Sequence, residues 1–282
     1  MLDTPALLMY AAADVARVAG DVALRHFGTR IDVEVKGDGS PVTIADRGAE
    51  QAARAWLEAR FPGDGILGEE FGLARASARR RWILDPIDGT KSFIRGVPLW
   101  GTLVACVEGE RVLAGAAYFP ALGEMVAAAP GEGCWWNGAR ARVSAVAAIA
   151  GATVLTTDPR FPGRPGRRAA WRRLEDAAAL ARTWADCYGY LLVATGRAEV
   201  MVDAVVGDWD TAALLPVVEE AGGVFTSWEG RRTAFGGSAI ASNAALARPA
   251  RALLAEAGAT GDPEGGSANG TGAEPSVGAA RG

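Results

Sequence analysis

A short apolar run, Trp82-Ile83-Leu84, ends in the stretch Asp85-Pro86-Ile87-Asp88-Gly89-Thr90. Apolar runs of this length are typical of buried strands, and Pro86 fixes a turn directly after the run. Asp85 and Asp88 are three residues apart across that turn, so both carboxylates can point at one centre, and the Ile87 carbonyl is free to join them. Such oxygen ligands suit Mg²⁺. An Asp-Pro-x-Asp-Gly sequence is also an ordinary turn, so the motif alone leaves both interpretations open.

Two further acidic segments end apolar runs in the same way. Glu69-Glu70 follow Gly68, and Asp210 follows the apolar segment 201–207. Strand ends are where α/β proteins build their sites, so we expect these carboxylates to converge with Asp85 and Asp88. Taken singly, Glu69-Glu70 is also explained as a solvated acidic pair and Asp210 as a helix N-cap. Five carboxylates that met without cations would be strongly destabilising, so their convergence would imply a metal.

Two predicted helix starts carry a similar ambiguity. Thr43 and Asp46 have the spacing of a capping box, in which a threonine and an acid three residues later satisfy each other's backbone N–H groups. This structural role and a catalytic role for Asp46 both remain open. Gly89-Thr90 begin another helix, whose unpaired N–H groups and dipole would favour an anion.

Composition narrows the class of function. The chain has 282 residues, a mass of 29.1 kDa and a net charge of -4, with 50% hydrophobic residues, which suits a globular protein. The acidic pI of about 5.3 argues against nucleic acid as a partner, because phosphate backbones are bound by clustered basic charge. An anionic small molecule would then need a metal. The chain shows neither an apolar run of about 18 residues nor a signal pattern, so we expect no membrane association and a cytoplasmic location.

Thiol and imidazole chemistry are not expected. Cys106, Cys134 and Cys187 are widely spaced and form no CxxC pair, which argues against a zinc knuckle or a disulfide framework. His26 is the single histidine and ends a predicted helix. Histidine triads and His-rich metal sites are therefore improbable.

The first half of the chain predicts helices around a mixed or antiparallel sheet. Apolar residues at helical spacing predict helices over residues 5–27 and 43–60, and alternation predicts a half-buried strand over 31–36. Residues 101–108 and 111–119 flank a Gly-Glu turn as a β-hairpin does.

In the second half, strands and helices alternate, which is typical of α/β proteins. The predicted strands and helices are residues 152–156, 167–182, 199–203, 210–221 and 223–228. We therefore predict two layered halves, residues 1–145 and 146–258, that share a cleft. Residues 259–282 contain few large apolar groups, so this tail is predicted to be disordered.

The acidic motifs together resemble the motif set of the inositol monophosphatase family. The resemblance rests on Gly68-Glu69-Glu70, on the stretch 85–90, and on Trp209-Asp210 followed by Glu220-Ala221-Gly222-Gly223, in family order. It covers residues 5–257 and implies a layered α/β/α/β/α sandwich. It also implies a homodimer and Mg²⁺-dependent, lithium-sensitive hydrolysis of small phosphate monoesters.

The same resemblance implies a role for each acidic residue. Glu69, Asp85 and the Ile87 carbonyl would hold one metal ion, while Asp85, Asp88 and Asp210 would hold a second. Glu70 would support a third, weaker metal or its water, which gives two or three Mg²⁺ ions per site. Asp46 and Thr90 match the pair that orients the attacking water. A two-metal clamp of this kind stabilises the entering and leaving oxygens and lowers the pKa of a bound water.

Two other segments, residues 91–100 and 184–190, are most similar to the histidinol-phosphate phosphatase branch of that family. By this resemblance Asp203 matches an acidic substrate-contacting residue, and Asp186 matches a position that is small and uncharged in inositol-specific members. An extra carboxylate at Asp186 suits a substrate with an ammonium and an imidazole. A structural role for Asp186 at a loop or helix start remains open, and Trp184 and Tyr188 would either stack on the imidazole or lie in the core. The further substrate-binding residues are Gly89, Thr90 and Lys91.

These observations predict a cytoplasmic phosphatase that acts on L-histidinol phosphate in histidine biosynthesis. Inositol monophosphatase or fructose-1,6-bisphosphatase activity is the alternative within the family, followed by cleavage of 3'-phosphoadenosine 5'-phosphate. Outside enzymology, the alternative is a metal-binding regulatory protein that has kept the fold without turnover. The presence of both Asp46 and Thr90 counts against that alternative, because a protein without turnover would be free to lose them.

Overall fold

The computed structural model describes residues 3–37 and 39–255. Helices and sheets within these ranges stack in five layers. The helices are α1 (Pro5–Leu24), α2 (Ile44–Arg60), α3 (Thr90–Phe93), α4 (Pro165–Ala177), α5 (Asp186–Ala194), α6 (Asp208–Thr211), α7 (Leu214–Glu220) and α8 (Ala247–Leu254). The strands are β1 (Val33–Val35), β2 (Pro41–Thr43), β3 (Gly65–Gly68), β4 (Gly72–Ala74), β5 (Arg80–Asp88), β6 (Gly101–Glu108), β7 (Arg111–Phe119), β8 (Glu124–Ala129), β9 (Gly133–Trp136), β10 (Ala139–Arg140), β11 (Thr153–Thr156), β12 (Leu180–Arg182), β13 (Val200–Asp203), β14 (Gly223–Thr226) and β15 (Ala239–Asn243).

The first sheet is mixed, with the strand order β10-β9-β8-β7-β6-β5-β3-β4. Only β3 and β5 pair in parallel in this sheet, and the predicted hairpin is confirmed as β6 and β7. Helices α1 and α2 cover one face, where Val15 and Leu57 pack with Trp82. Helix α1 begins at a Thr4 cap and ends at Leu24, three residues before the predicted end.

Strand β5 contains the irregularity that shapes the site. Asp85 pairs with Leu103 and Asp88 pairs with Gly101, so three steps along β5 match two along β6. The extra residue forms a bulge, which suits Pro86 because proline has no N–H to donate to a neighbouring strand. The bulge redirects the backbone at the end of β5 and carries both aspartates to that end.

The second sheet has the order β12-β11-β13-β15-β14, in which β11 pairs in parallel with β12 and β13. Helices α5 and α7 lie between the two sheets, where Leu191 and Val217 pack with Leu103 and Phe225. Helices α4 and α8 cover the outer face of the second sheet. The layers therefore follow the order α/β/α/β/α, and the predicted fold class is confirmed.

Three predicted elements differ in the structure. The helix predicted over 167–182 is wrong beyond Ala177, because Leu180–Arg182 extends the second sheet as β12. The strand predicted as half-buried over 31–36 is exposed, because β1 pairs only with β2 in a ribbon of two strands. The helix predicted over 210–221 is divided into α6 and α7.

Two expectations concern the chain as a whole. The predicted disorder of residues 259–282 falls outside the described residues. In the part of the chain that the structure describes, no helix combines the length and hydropathy needed to span a membrane.

Candidate active site

Three carboxylates meet where β5 ends and α6 begins. Asp85 and Asp88 flank the bulge of β5, and Asp210 lies in the first turn of α6. Each offers one oxygen, and these oxygens all lie within 4.8 Å of one another. The start of α6 is held by Asp210 itself, whose Oδ2 accepts the Gly207 N–H at 2.7 Å. The structure thus brings together three residues that come from separate motifs.

The cluster concentrates negative charge in a buried place. Burial raises the pKa of Asp85 well above its usual value, and the nearby Glu69, Asp88 and Asp210 raise it further. Burial also raises the pKa of Asp88, followed by the charges of Asp186 and Asp210. The pKa of Asp210 is raised by burial to about 6. Carboxylates in this situation are stable together when protonated or bound to a cation, and their hard oxygens fit a divalent ion such as Mg²⁺.

Glu69 and Glu70 share one ammonium group. Lys36 Nζ lies 2.7 Å from Glu69 Oε1 and 2.7 Å from Glu70 Oε1. Burial lowers the pKa of Lys36, but its hydrogen bonds to both glutamates outweigh this effect and raise the pKa overall. The pKa of Glu70 is raised to about 7, because burial outweighs the attraction of Lys36. Glu69 also acts on the aspartates, since its charge raises the pKa of Asp85.

Asp46 is fully buried and uses its two oxygens differently. Its Oδ2 accepts the Thr43 N–H at 2.7 Å and the Thr43 hydroxyl at 2.6 Å, which completes the capping box at the start of α2. Its Oδ1 lies 3.5 Å from the Thr90 hydroxyl, which is also 2.9 Å from the Ile87 carbonyl. Burial raises the pKa of Asp46. One carboxylate therefore caps α2 and also faces the end of β5.

Glu50 is a buried acidic residue that sequence reasoning did not single out. Its carboxylate accepts the N–H groups of Glu70 at 2.8 Å and Phe71 at 3.2 Å, and it pairs with Arg54 at 2.7 Å. A Cβ on Gly68 would lie 1.9 Å from Glu50 Oε1, so glycine is required at that position. The carboxylate of Glu50 thus holds the turn that presents Glu69 and Glu70. The only sign of this role in the sequence was the position of Glu50 on the apolar side of a predicted helix.

A second acidic group adjoins the aspartate cluster. Asp186, at the start of α5, and Asp203, at the end of β13, line a cavity of about 70 Å³ together with Asp88 and Asp210. Burial raises the pKa of Asp186 to about 7, followed by the charges of Asp203 and Asp210. The pKa of Asp203 is also raised by burial. The four acidic residues of its lining would favour a cationic group over an anionic one.

Gly89 explains how Asp186 comes so close to the stretch 85–90. Gly89 adopts a φ of 88°, and a Cβ there would lie 3.1 Å from Asp186 Oδ2 and 3.0 Å from the Leu99 carbonyl oxygen. The Asp186 carboxylate therefore packs against the backbone just before α3. Lys91 is exposed on α3, and its charge lowers the pKa of Asp186 against the larger effect of burial.

The two aromatic residues considered for stacking differ in position. Tyr188 packs against Phe119 with ring centroids 5.6 Å apart, and its hydroxyl lies 3.4 Å from Glu124 Oε1. Tyr188 therefore contributes to packing around the core, as the alternative interpretation held. Trp184 is 39% exposed, two residues before Asp186.

Comparison with known proteins agrees with this architecture. The model of the inositol monophosphatase family matches residues 6–259. A histidinol-phosphatase from Chlorobaculum parvum is 45% identical and covers 84% of this chain and 92% of that protein. A histidinol-phosphatase from Mycobacterium tuberculosis is 40% identical and covers 85% of this chain and 94% of that protein. A solved structure of an inositol monophosphatase from Zymomonas mobilis is 35% identical, with a TM-score of 0.78 over 87% of this chain and 96% of that chain. The chain belongs to the inositol monophosphatase family.

Proposed function

We propose that this phosphatase hydrolyses L-histidinol phosphate in histidine biosynthesis and uses Mg²⁺ as its cofactor. The observation that carries the proposal is the position of Asp186, which lies against Gly89 and shares a cavity with Asp203, Asp88 and Asp210. The relatives named histidinol-phosphatase support the same substrate.

The charge of the cavity distinguishes histidinol phosphate from a polyol ester. Histidinol phosphate carries an anionic phosphate at one end, an imidazole at the other, and a cationic ammonium on the carbon next to the phosphorylated CH₂ group. With the phosphate at the metal cluster, the ammonium would face Asp186 or Asp203 and form a charge-assisted hydrogen bond. An inositol hydroxyl at the same place is a neutral donor, and its hydrogen bond to the carboxylate would be weaker than that of an ammonium. The cavity therefore favours the cationic substrate.

The carboxylate cluster fits a divalent cation by its donor set. We assign Glu69, Asp85 and the Ile87 carbonyl to one ion, and Asp85, Asp88 and Asp210 to a second. Glu70 would support a third, weaker ion or its water. When bound, such ions would neutralise the phosphate and lower the pKa of the attacking water. Lys36 Nζ lies 2.7 Å from Glu69 Oε1, so this ion pair would have to break before Glu69 could bind a metal ion.

Asp46 and Thr90 are positioned to orient that water. Asp46 Oδ1 is not used by the capping box, so it can accept a proton from a water that lies beside Asp46 and Thr90 and contacts both. Thr90 donates its hydroxyl proton to the Ile87 carbonyl at 2.9 Å, which leaves its oxygen free to accept from the same water. The raised pKa of Asp46 makes it a better base than a solvated aspartate.

Several finer features are inferred from the sequence pattern or from the resemblance to the family. We infer sensitivity to lithium, a homodimeric assembly and a cytoplasmic location. We also infer that the halves 1–145 and 146–258 share one cleft, with Gly89, Thr90 and Lys91 near the substrate phosphate. Size-exclusion chromatography with light scattering tests the assembly, and activity at millimolar LiCl tests the sensitivity.

A panel of phosphate-release assays tests the proposed function. The substrates are histidinol phosphate, inositol 1-phosphate, fructose 1,6-bisphosphate and 3'-phosphoadenosine 5'-phosphate, each with Mg²⁺ and with EDTA. We expect the highest kcat/KM for histidinol phosphate and no turnover in EDTA. A higher kcat/KM for another ester would identify that ester as the substrate in place of histidinol phosphate. No turnover on any ester would favour a metal-binding regulatory protein.

A further inference from the structure

Thr157 contacts both acidic residues of the proposed substrate cavity. Its hydroxyl oxygen accepts the Asp186 N–H at 3.0 Å, and its own N–H donates to Asp203 Oδ1 at 3.1 Å. These partners lie 29 and 46 residues away in the chain. Thr157 follows directly after β11, in the sheet that also contains β13 and Asp203. A single residue thus links the start of α5 to the end of β13.

The link matters because the backbone of Asp186 is strained. Asp186 has a φ of 54°, in the left-handed region that residues other than glycine seldom adopt. Such a conformation persists only where the surroundings hold it. Here two successive N–H groups are held by side chains: Thr157 accepts from Asp186, and Asp88 Oδ2 accepts from Cys187 at 2.6 Å. The left-handed turn is what places the Asp186 carboxylate against Gly89.

Asp203 is held by both Thr157 and Tyr190. The Thr157 N–H binds its Oδ1, and the Tyr190 hydroxyl donates to its Oδ2 at 2.9 Å. Thr157 therefore contacts this carboxylate through its backbone N–H and also through its side chain. A change of side chain removes the hydroxyl from both acids, while Asp203 keeps the Thr157 N–H and the Tyr190 hydroxyl.

We propose that Thr157 is a positioning residue for substrate selection: its hydroxyl holds Asp186 in the left-handed conformation that presents the carboxylate to the ammonium group of the substrate. This inference rests on the proposed function. Thr157 acts through Asp186 and, to a smaller extent, through Asp203, so loss of its hydroxyl should weaken the binding of a cationic ester and leave the chemistry at the phosphate unchanged.

The neighbouring Thr156 provides a matched control. It is buried at the end of β11, and its hydroxyl has no hydrogen-bond partner among the described residues. Thr156→Val therefore makes the same chemical change one residue away without breaking a hydrogen bond. Thr157→Ser restores the hydroxyl and serves as the rescue variant.

The test measures kcat and KM for histidinol phosphate and inositol 1-phosphate with Thr157→Val, Thr157→Ser and Thr156→Val. For Thr157→Val we expect the KM for histidinol phosphate to rise about tenfold, which is the loss of one well-placed hydrogen bond, with kcat within about twofold. The KM for inositol 1-phosphate, and both constants in the other two variants, should stay within about threefold. Equal KM changes on both esters, no change, or a serine variant as impaired as the valine variant would overturn the positioning role.

A crystal structure of Thr157→Val separates this inference from the substrate proposal. We expect the φ of Asp186 to leave the positive region and its carboxylate to move away from Gly89. A retained φ near 54° with the carboxylate unmoved would overturn the positioning role whatever the substrate is. If the unmutated protein prefers another ester, the proposed function fails, and the φ of Asp186 in the variant still decides the role of Thr157. Melting temperatures of all variants identify any that fail to fold.

Discussion

The Thr90 hydroxyl lies 3.5 Å from Asp46 Oδ1, although the two residues are 44 positions apart and belong to different helices. The other oxygen of Asp46 is occupied by Thr43, whose N–H and hydroxyl both donate to it. The capping role is therefore real, and it leaves Oδ1 available at the site. The two interpretations of the Thr43–Asp46 spacing are compatible, because each uses a different oxygen.

Asp46→Asn separates the roles of the two carboxylate oxygens of Asp46. The asparagine amide oxygen can still accept from Thr43, whereas its NH₂ group would face Thr90 and could not accept a proton. We expect kcat to fall by about 10²-fold or more, which is the usual contribution of a general base, with a melting temperature close to that of the unmutated protein. Thr43→Val is the converse control: it should lower stability by about 1 kcal/mol through loss of the cap. Retained activity in Asp46→Asn would remove Asp46 from the chemistry.

Asp85→Asn tests the proposed metal cluster. Asp85 is the residue assigned to both ions, so we expect activity to fall by at least about 10³-fold. The metal-free variant should be no less stable than the unmutated protein, because asparagine keeps the shape of the side chain and has no charged form for the acidic neighbours to repel. Asp208→Asn, an exposed aspartate on the same helix as Asp210, is the matched control and should keep its activity. Substantial turnover by Asp85→Asn in saturating Mg²⁺ would contradict the assignment.

Asp186→Asn tests the substrate assignment. Asparagine fits the site better than alanine, because it tolerates the left-handed backbone and keeps the shape of the side chain. Loss of a charge-assisted hydrogen bond of about 1.5–3 kcal/mol corresponds to a roughly 10- to 100-fold fall in kcat/KM for histidinol phosphate. Hydrolysis of inositol 1-phosphate should change much less, so the ratio between the two esters is the quantity to measure. Equal losses on both would assign Asp186 a structural role.

The stability of the metal-free protein should fall as the pH rises from about 4 to about 7. The pKa values of Asp210, Asp186 and Glu70 are raised to about 6, about 7 and about 7. The unfolded chain releases the same protons near pH 4, so the native state holds more protons across this window. The free energy of unfolding therefore decreases as the pH rises through this window. Urea unfolding in EDTA at pH 5 and pH 8 measures the difference, and a rise in the midpoint would contradict it.

Mg²⁺ should reverse that loss. Carboxylates bind a cation in their deprotonated form, so the stabilisation by a fixed Mg²⁺ concentration should be larger at pH 8 than at pH 5. Melting temperatures with and without Mg²⁺ at the two pH values provide the comparison. An equal shift at both would mean that the ion binds away from these carboxylates.

Glu50→Gln tests the support beneath Glu69 and Glu70. The change removes the charge that pairs with Arg54 and weakens the hold on the turn, so we expect a loss of about 2 kcal/mol of stability and weaker Mg²⁺ binding. Glu58→Gln is the control on the same helix: its carboxylate is 52% exposed, and the change should alter stability by less than about 0.5 kcal/mol. Unchanged Mg²⁺ affinity in Glu50→Gln would limit this residue to packing.

The sequence by itself determined the features that depend on neighbouring residues. Apolar periodicity predicted α1 and α2, and the Gly-Glu turn at residues 109–110 predicted the β6–β7 hairpin. The acids that end apolar runs indicated Asp85, Asp88 and Asp210. Strand ends, caps and turns are set within a few residues, so a single sequence contains the information. The limits of this reasoning appear at residues 180–182, where helical spacing continued but pairing with β11 formed a strand.

Only the tertiary structure decided which distant groups became partners. Lys36 reached Glu69 and Glu70, Glu50 reached the turn that follows Gly68, and Thr157 reached both Asp186 and Asp203; Tyr188 instead packed against Phe119. A buried carboxylate is stable beside whichever donor the closed layers bring near it, and that donor leaves no pattern in the local sequence. The sequence was enough to predict the acidic residues of the site. The groups that hold and orient them were determined by the packing of two sheets and three layers of helices.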